Sequence, residues 1–140
     1  MLERPKFLSF AQHGDDRGHL VVIEGGTDIP FQIKRTFYMY ESSGDAVRGE
    51  HANRRSEFVL VNVAGASKVR CVEPNGTVTV YELDHPHTGV YIPKMVWKDM
   101  YDFTQDSVLL VLSSEHYDAK EYIRDYSEWC EEVGLSGASV

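Results

Sequence analysis

The sequence has 140 residues, enough for a single domain that buries roughly two thirds of the surface exposed by its unfolded chain. Its formal net charge of −8 argues against coating a nucleic acid or an anionic membrane surface. There is no apolar run long enough to span a bilayer and no leading basic-then-apolar segment. We therefore expect one cytoplasmic domain over residues 1–140, with neither nucleic acid nor membrane as partner.

From residue 20 to residue 112 the sequence has the pattern of short β-strands separated by turns. The strand-like segments are LVVIE, FQIKRTFYMY, EFVLVNV, SKVRCV, TVTVYEL, VYIP and SVLLVLSS. The tetrapeptide EPNG at 73–76 places Pro before Asn-Gly, which is typical of a tight hairpin turn. Such regular spacing predicts an all-β sandwich or barrel, and the polar motif described below favours a jelly-roll barrel.

Only the tail of the sequence changes to a helical period. Asp118 and Glu121 have the spacing of a capping box, and Gly134 ends the pattern. The apolar residues that recur at helical spacing in between are Tyr122, Ile123, Tyr126 and Trp129. We predict one C-terminal α-helix over about 118–133, whose apolar stripe covers the barrel or a partner subunit.

The stretch RGEHANRRSEF at 48–58 resembles a metal site of a small barrel that lacks its second ligand. His51, Asn53 and Glu57 share one strand parity and are expected to point inward. Asparagine is a poor ligand for zinc or iron, and Lys98 stands where a third histidine would be needed. A protonated lysine repels a cation, so we expect no metal and no other cofactor.

His51 then remains with an amide and several cations. A neutral histidine is a natural general base near pH 7, although a lone buried histidine is more often a satisfied core residue. Basic residues bracket the motif at Lys34, Arg35, Arg48, Arg54 and Arg55. They fit a site for a small anionic ligand, and a solvated charged face accounts for them equally well.

Several blocks in order along the chain resemble one family, the sugar-nucleotide 3,4-ketoisomerases. These blocks are DDRGHLVVIE, IPFQIKR, RGEHANRR, GVYIPKMVWKDMYDF, VLLVLSSEHYD and EYIRDY. The resemblance implies a dimeric jelly-roll cupin with strands exchanged between subunits and no metal requirement. It also implies an enzyme that moves a keto group between C4 and C3 of a dTDP-linked 4-keto-6-deoxyhexose, in the synthesis of deoxy and amino sugars.

The resemblance assigns roles to individual residues. It implies His51 as the catalytic base, Arg48 as the arginine of the RG pair and Arg17 as an arginine near the sugar. Together with the basic patch, it gives a predicted substrate-binding set of Arg17, Arg35, Tyr38, Arg48, Asn53 and Lys98.

The sequence departs from the family pattern at three positions. Asn53 replaces a second histidine, Phe37 replaces the first tyrosine of a pair, and Lys98 follows the tryptophan where relatives carry histidine or arginine. Two other functions therefore stay open. One is a dTDP-keto-sugar epimerase, which also removes a proton next to a ketone, and the other is a sugar-nucleotide-binding module without catalysis.

Overall fold

The structure is a computed structural model that describes residues 3–135, and nearly all of its regular elements are strands. They are, in chain order, β1 (Lys6–Ser9), β2 (Gln12–Asp15), β3 (Gly18–Val21), β4 (Arg35–Tyr40), β5 (Arg48–Asn53), β6 (Phe58–Ala64), β7 (Ser67–Val72), β8 (Val78–Leu83), β9 (Thr88–Ile92), β10 (Trp97–Tyr101), β11 (Val108–Ser113), β12 (Tyr122–Ile123) and α1 (Tyr126–Val133). A single 3-10 turn, Ala119–Glu121, precedes β12.

Ten of the strands form two antiparallel sheets. The first sheet has the order β1-β9-β6-β11-β4 and the second the order β12-β5-β10-β7-β8. The strands β7 and β8 join through the predicted EPNG turn, where Gly76 has a φ of 91°. The prediction of an all-β jelly-roll with one C-terminal helix is thereby confirmed.

An apolar core lies between the two sheets because alternate residues of each strand face inward. It includes Met39, Phe58, Leu60, Val69, Cys71, Val90, Met100, Leu109 and Val111, all of them buried. Both cysteines are buried and free.

The predicted start of the C-terminal helix at about residue 118 is wrong. Asp118 does act as an N-cap, accepting a hydrogen bond from the backbone N–H of Lys120 at 3.0 Å, but it caps only the short 3-10 turn. Tyr122 and Ile123 then pair with β5 instead of continuing a helix. Strand pairing and the burial of Glu121 therefore override the local helical spacing.

The true helix α1 begins after Asp125, whose carboxylate accepts a hydrogen bond from the backbone N–H of Glu128 at 2.9 Å. It ends as predicted at Gly134, which has a left-handed φ of 80°. Its buried residue Trp129 packs on the outer face of the second sheet and donates through Nε1 to the carbonyl of Met95 at 3.0 Å. The apolar stripe therefore covers the barrel of the same chain. No helix within residues 3–135 is long and apolar enough to cross a membrane.

The strands β2 and β3 form a separate two-stranded hairpin. All four residues of β2 are exposed, and Leu20 on β3 is 58% exposed. An isolated two-stranded hairpin is only marginally stable in water. This hairpin therefore extends from the barrel with little of its own surface covered.

Candidate active site

A cavity of about 410 Å³ opens at one end of the barrel, between the two sheets. We call it the mouth. Its wall combines apolar side chains with one histidine and four cations. The lining residues are Arg35, Phe37, Met39, Arg48, Gly49, His51, Phe58, Leu60, Lys98, Met100, Val111, Tyr117, Tyr122 and Arg124.

Neighbouring strands hold the histidine and the lysine side by side. His51 on β5 is the register partner of Lys98 on β10, and the pairing shifts by a bulge directly after Lys98. Gly49 and Glu50 both have positive φ angles, 84° and 57°, where β5 makes this bulge. A bulge re-aims the side chains beside it, so His51 and Lys98 both reach the mouth.

The change Gly49→Ala tests this local geometry. A Cβ at position 49 would lie 3.0 Å from the backbone oxygen of Lys98 and 3.0 Å from Sδ of Met100, on a φ that favours glycine. We expect the free energy of unfolding to fall by about 1–3 kcal/mol in urea titrations. The control Gly44→Ala adds a Cβ with no neighbour closer than 3.8 Å and should change stability little. Equal stability of the two variants would contradict this account of the bulge.

His51 is held as a neutral imidazole. Burial lowers its pKa to about 3, with the positive charge of Lys98 as the second cause. Its Nδ1 atom is buried and makes no hydrogen bond within residues 3–135, and its ring packs 4.9 Å from the ring of Tyr122. At neutral pH the imidazole is therefore uncharged, and one of its ring nitrogens can accept a proton.

Lys98 is a buried cation with few partners. Its side chain is almost fully covered, its Nζ donates to Oδ1 of Asn53 at 3.1 Å, and it lies 5.1 Å from the centre of the Phe58 ring. Within residues 3–135 no carboxylate forms an ion pair with it. Burial lowers the pKa of Lys98 to about 8, since an ammonium is costly in an apolar environment.

Behind the mouth, a buried carboxylate organises the polar interior. Glu121 accepts from Nδ2 of Asn53 at 2.9 Å, from the backbone N–H groups of Arg55 and Ser56 at 2.8 and 2.9 Å, and from the Ser56 hydroxyl. Burial alone would raise the pKa of Glu121, but these donors together lower it. Sequence reasoning used Glu121 only as a helix cap and missed this role, because its donors lie 65 to 68 residues earlier in the chain.

The four cations of the mouth come from four different strands or their ends. Arg35 donates to the hydroxyl of Tyr122 at 3.1 Å and lies over the rings of Phe37 and Tyr117, at 5.0 and 5.4 Å. Arg124, directly after β12, joins Arg35 and Arg48 in the wall and was not singled out from the sequence. The sequence feature that could have identified Arg124 is its position in EYIRDY, one of the blocks that resemble the family.

Three predicted binding residues lie outside this wall, and two of them, Tyr38 and Arg17, are on exposed surfaces. Tyr38 is 61% exposed and stacks near Tyr40 on the outer face of β4, because strand alternation turns Phe37 inward instead. Arg17 sits on the exposed β2–β3 hairpin, where its guanidinium pairs with Asp15 at 2.6 Å. The structure therefore does not bring Tyr38 or Arg17 together with His51.

Two further expectations from the RGEHANRRSEF motif are also corrected. Asn53 is fully buried, and its side-chain amide is hydrogen-bonded to Glu121 and Lys98, so it does not face the mouth. Glu57 turns away from His51 and accepts a hydrogen bond from Tyr91, because the segment between β5 and β6 breaks the strand parity. Among residues 3–135, no three His, Cys, Asp or Glu side chains are grouped as a metal site requires.

The jelly-roll with a neutral histidine among arginines and a lysine is a cupin-type site suited to an anionic ligand with an acidic C–H bond. The family model described as "FdtA: WxcM-like, C-terminal" matches residues 3–134. The chain belongs to this family, the sugar-nucleotide 3,4-ketoisomerases whose motifs its sequence resembles.

Individual relatives agree with this assignment. The chain is 39% identical over 124 residues to the TDP-4-oxo-6-deoxy-alpha-D-glucose-3,4-oxoisomerase of Aneurinibacillus thermoaerophilus, covering 89% of this chain and 88% of that protein. It is 40% identical to the 3,4-ketoisomerase QdtA of Thermoanaerobacterium thermosaccharolyticum in complex with TDP, with a TM-score of 0.90 over 96% of this chain and 97% of that one. A mutant of QdtA in complex with TDP-4-keto-6-deoxyglucose matches with a TM-score of 0.89 at 40% identity, over 95% and 96% of the two chains. These relatives are ketoisomerases, which favours the isomerase over the epimerase.

Proposed function

We propose that the protein moves the keto group of dTDP-4-keto-6-deoxyglucose, or a closely related dTDP-linked hexose, from C4 to C3 in deoxy-sugar or amino-sugar synthesis. The observation that carries the proposal is His51, a neutral base in the wall of a cation-lined mouth. The relative crystallised with TDP-4-keto-6-deoxyglucose supports this choice of substrate.

The chemistry requires one well-placed base. The C4 carbonyl acidifies the proton on C3, so a neutral imidazole can remove it and leave an enediolate. Return of that proton to C4, while the hydroxyl proton moves from O3 to O4, places the ketone at C3 with no net change in protons. A cation close to the oxygens would stabilise the enediolate, a contribution of roughly 3–4 kcal/mol for one well-placed donor.

The arginines of the mouth fit the diphosphate. Arg35, Arg48 and Arg124 share the cavity wall with His51, and guanidinium groups form strong charge-assisted hydrogen bonds to phosphate oxygens. The rings of Tyr117 and Tyr122, 5.7 Å apart, offer surfaces on which a base or a sugar could stack. This local positive site explains how an acidic protein holds a dianionic ligand.

We further propose a homodimer with an exchanged hairpin, located in the cytoplasm where nucleotide sugars are made. The exposed β2–β3 hairpin, with Leu20 uncovered, supports the dimer because such a hairpin gains stability by packing on another surface. In that arrangement Arg17, which lies outside the mouth of its own subunit, would reach the mouth of the partner. Sedimentation equilibrium is expected to give twice the mass of one chain.

Incubation with dTDP-4-keto-6-deoxyglucose in D₂O, followed by NMR, tests the function. The expected result is formation of the 3-keto isomer, with deuterium incorporated at the sugar carbons whose protons exchange with the solvent. A protein that binds dTDP but produces neither exchange nor isomer would be the non-catalytic binding module. Inversion at a carbon without migration of the ketone would identify an epimerase.

A further inference from the structure

Isomerisation moves protons on oxygen as well as on carbon. While His51 carries a proton from C3 to C4, O4 must gain a proton and O3 must lose one. The aromatic residue on the wall at position 37 is a phenylalanine, which has no hydroxyl for this task. Other residues of the mouth can carry the oxygen proton, since Lys98, Tyr117 and Tyr122 have protons on nitrogen or oxygen.

Lys98 occupies the right place for it. It is the direct register partner of His51 and shares the cavity wall with it. An ammonium has three N–H donors, and in residues 3–135 Nζ makes a hydrogen bond only to Oδ1 of Asn53. The donors that remain are available to a ligand in the mouth.

The side-chain amide of Asn53 fixes the position of the Lys98 ammonium. Asn53 donates through Nδ2 to Glu121 at 2.9 Å and accepts through Oδ1 from Lys98 at 3.1 Å. Only this orientation of the amide satisfies both neighbours, because a carboxylate needs a donor and an ammonium needs an acceptor. Glu121 is itself held by Ser56 and by the backbone of Arg55, so the chain of contacts from Glu121 to Lys98 is rigid.

We infer that Lys98 is the oxygen proton carrier of the reaction, and that Asn53 and Glu121 are positioning residues that hold its ammonium towards the sugar oxygens. The inference rests on the proposed function. The ammonium gives a proton to O4 as His51 removes the C3 proton, and the resulting enediol carries no charge. The neutral amine then takes the O3 proton as C4 accepts the carbon proton from His51, which restores both residues.

The surroundings of Lys98 suit this exchange. The titratable or charged groups around it are His51 on β5, Cys71 on β7, its neighbour Asp99 on β10 and Glu121 before β12. Burial lowers the pKa of the ammonium to about 8 despite the acidic groups nearby. A group with a pKa near the working pH can both give and take a proton in one cycle.

The test compares two rates for dTDP-4-keto-6-deoxyglucose in D₂O by NMR: deuterium incorporation at C3 and formation of the 3-keto product. The variant Lys98→Arg keeps the charge but has a pKa too high to release a proton, and Lys98→Gln keeps a hydrogen-bond donor without proton exchange. In both, we expect the ratio of exchange to product to rise at least about 10-fold, because an enediolate without an oxygen proton carrier returns to C3. Lys68→Gln, on the exposed face of β7, is the control and should keep the parent ratio.

A second readout addresses positioning. Asn53→Ala removes the acceptor that stabilises the Lys98 ammonium, which should lower the pKa of Lys98. The alkaline limb of the pH profile of kcat should therefore move to lower pH than in the parent. An unchanged limb would contradict the positioning role of Asn53.

The outcomes separate the two proposals. If the parent protein forms no 3-keto product, the proposed function fails and this inference fails with it. If the parent is active and the folded variants Lys98→Arg and Lys98→Gln both keep the parent ratio, only the inference is overturned. A ratio that rises in Tyr122→Phe but in neither Lys98 variant would assign the oxygen proton to that tyrosine instead.

Discussion

The substitution His51→Asn is expected to abolish ketone migration while leaving dTDP affinity within a few-fold of the parent. Asparagine fills a similar volume and stays neutral, but it cannot accept the proton from C3. General-base catalysis of this kind typically contributes about 10²–10⁴-fold to the rate, and product formation should fall at least that far. Deuterium exchange at C3 should disappear as well, since the same step removes the carbon proton. NMR measures both rates, and calorimetric titration with dTDP measures affinity.

The matched control is His85→Asn, which changes an exposed histidine that pairs with Asp84 and does not line the mouth. It should turn over like the parent. The low pKa of His51 adds a pH criterion, because the ring is already neutral well below neutrality. kcat/KM should show no acidic limb from His51 between about pH 5 and pH 7 in the free enzyme. A His51→Asn variant with parent turnover would remove the proposed base.

The part of the site predicted from the sequence is the part that depends on strand alternation and register. The motif RGEHANRR predicts that His51 faces the interior, and Lys98 stands where a third ligand on a later strand would be. In the structure the two residues are register partners on neighbouring strands. The EPNG turn and the end of the helix at Gly134 were also correct, because glycine and Asn-Gly have specific backbone conformations. Local chemistry fixed these features, so the sequence could reveal them.

The features missed from the sequence depend on contacts between distant segments. The start of α1 was wrong because Tyr122 and Ile123 pair with β5, some seventy residues earlier in the chain. Tyr38 was assigned to the mouth because no pattern in FQIKRTFYMY reveals which parity of β4 faces inward. The amide of Asn53 was expected in the mouth, but the buried carboxylate of Glu121 holds it behind the wall. Residue spacing in the sequence shows which side chains of a strand share a face. Which of the two faces points inward, and which buried groups it contacts, depends on tertiary packing.

The same buried carboxylate gives the second large expected effect. Replacing Glu121 by leucine leaves the backbone N–H groups of Arg55 and Ser56, the Ser56 hydroxyl and the Asn53 amide without their acceptor in a site that excludes water. A buried donor without a partner costs roughly 1–3 kcal/mol, and breaking a buried charge network costs roughly 3–5 kcal/mol. We expect Glu121→Leu to lower the free energy of unfolding by about 3–5 kcal/mol in urea titrations.

The pH dependence of stability provides a sharper test with the milder variant Glu121→Gln. Its hydrogen bonds lower the pKa of Glu121 in the folded state, so the carboxylate stabilises the fold at neutral pH. That contribution is fully present above the ordinary pKa of glutamate and is lost as the pH falls through the folded-state pKa. In Glu121→Gln, this contribution to the loss of stability at acidic pH should be absent. The control Glu131→Gln changes an exposed carboxylate and should lose stability at acidic pH as the parent does. Parent-like stability of Glu121→Leu, or an unchanged acid transition in Glu121→Gln, would show that the carboxylate does not organise the interior behind Lys98.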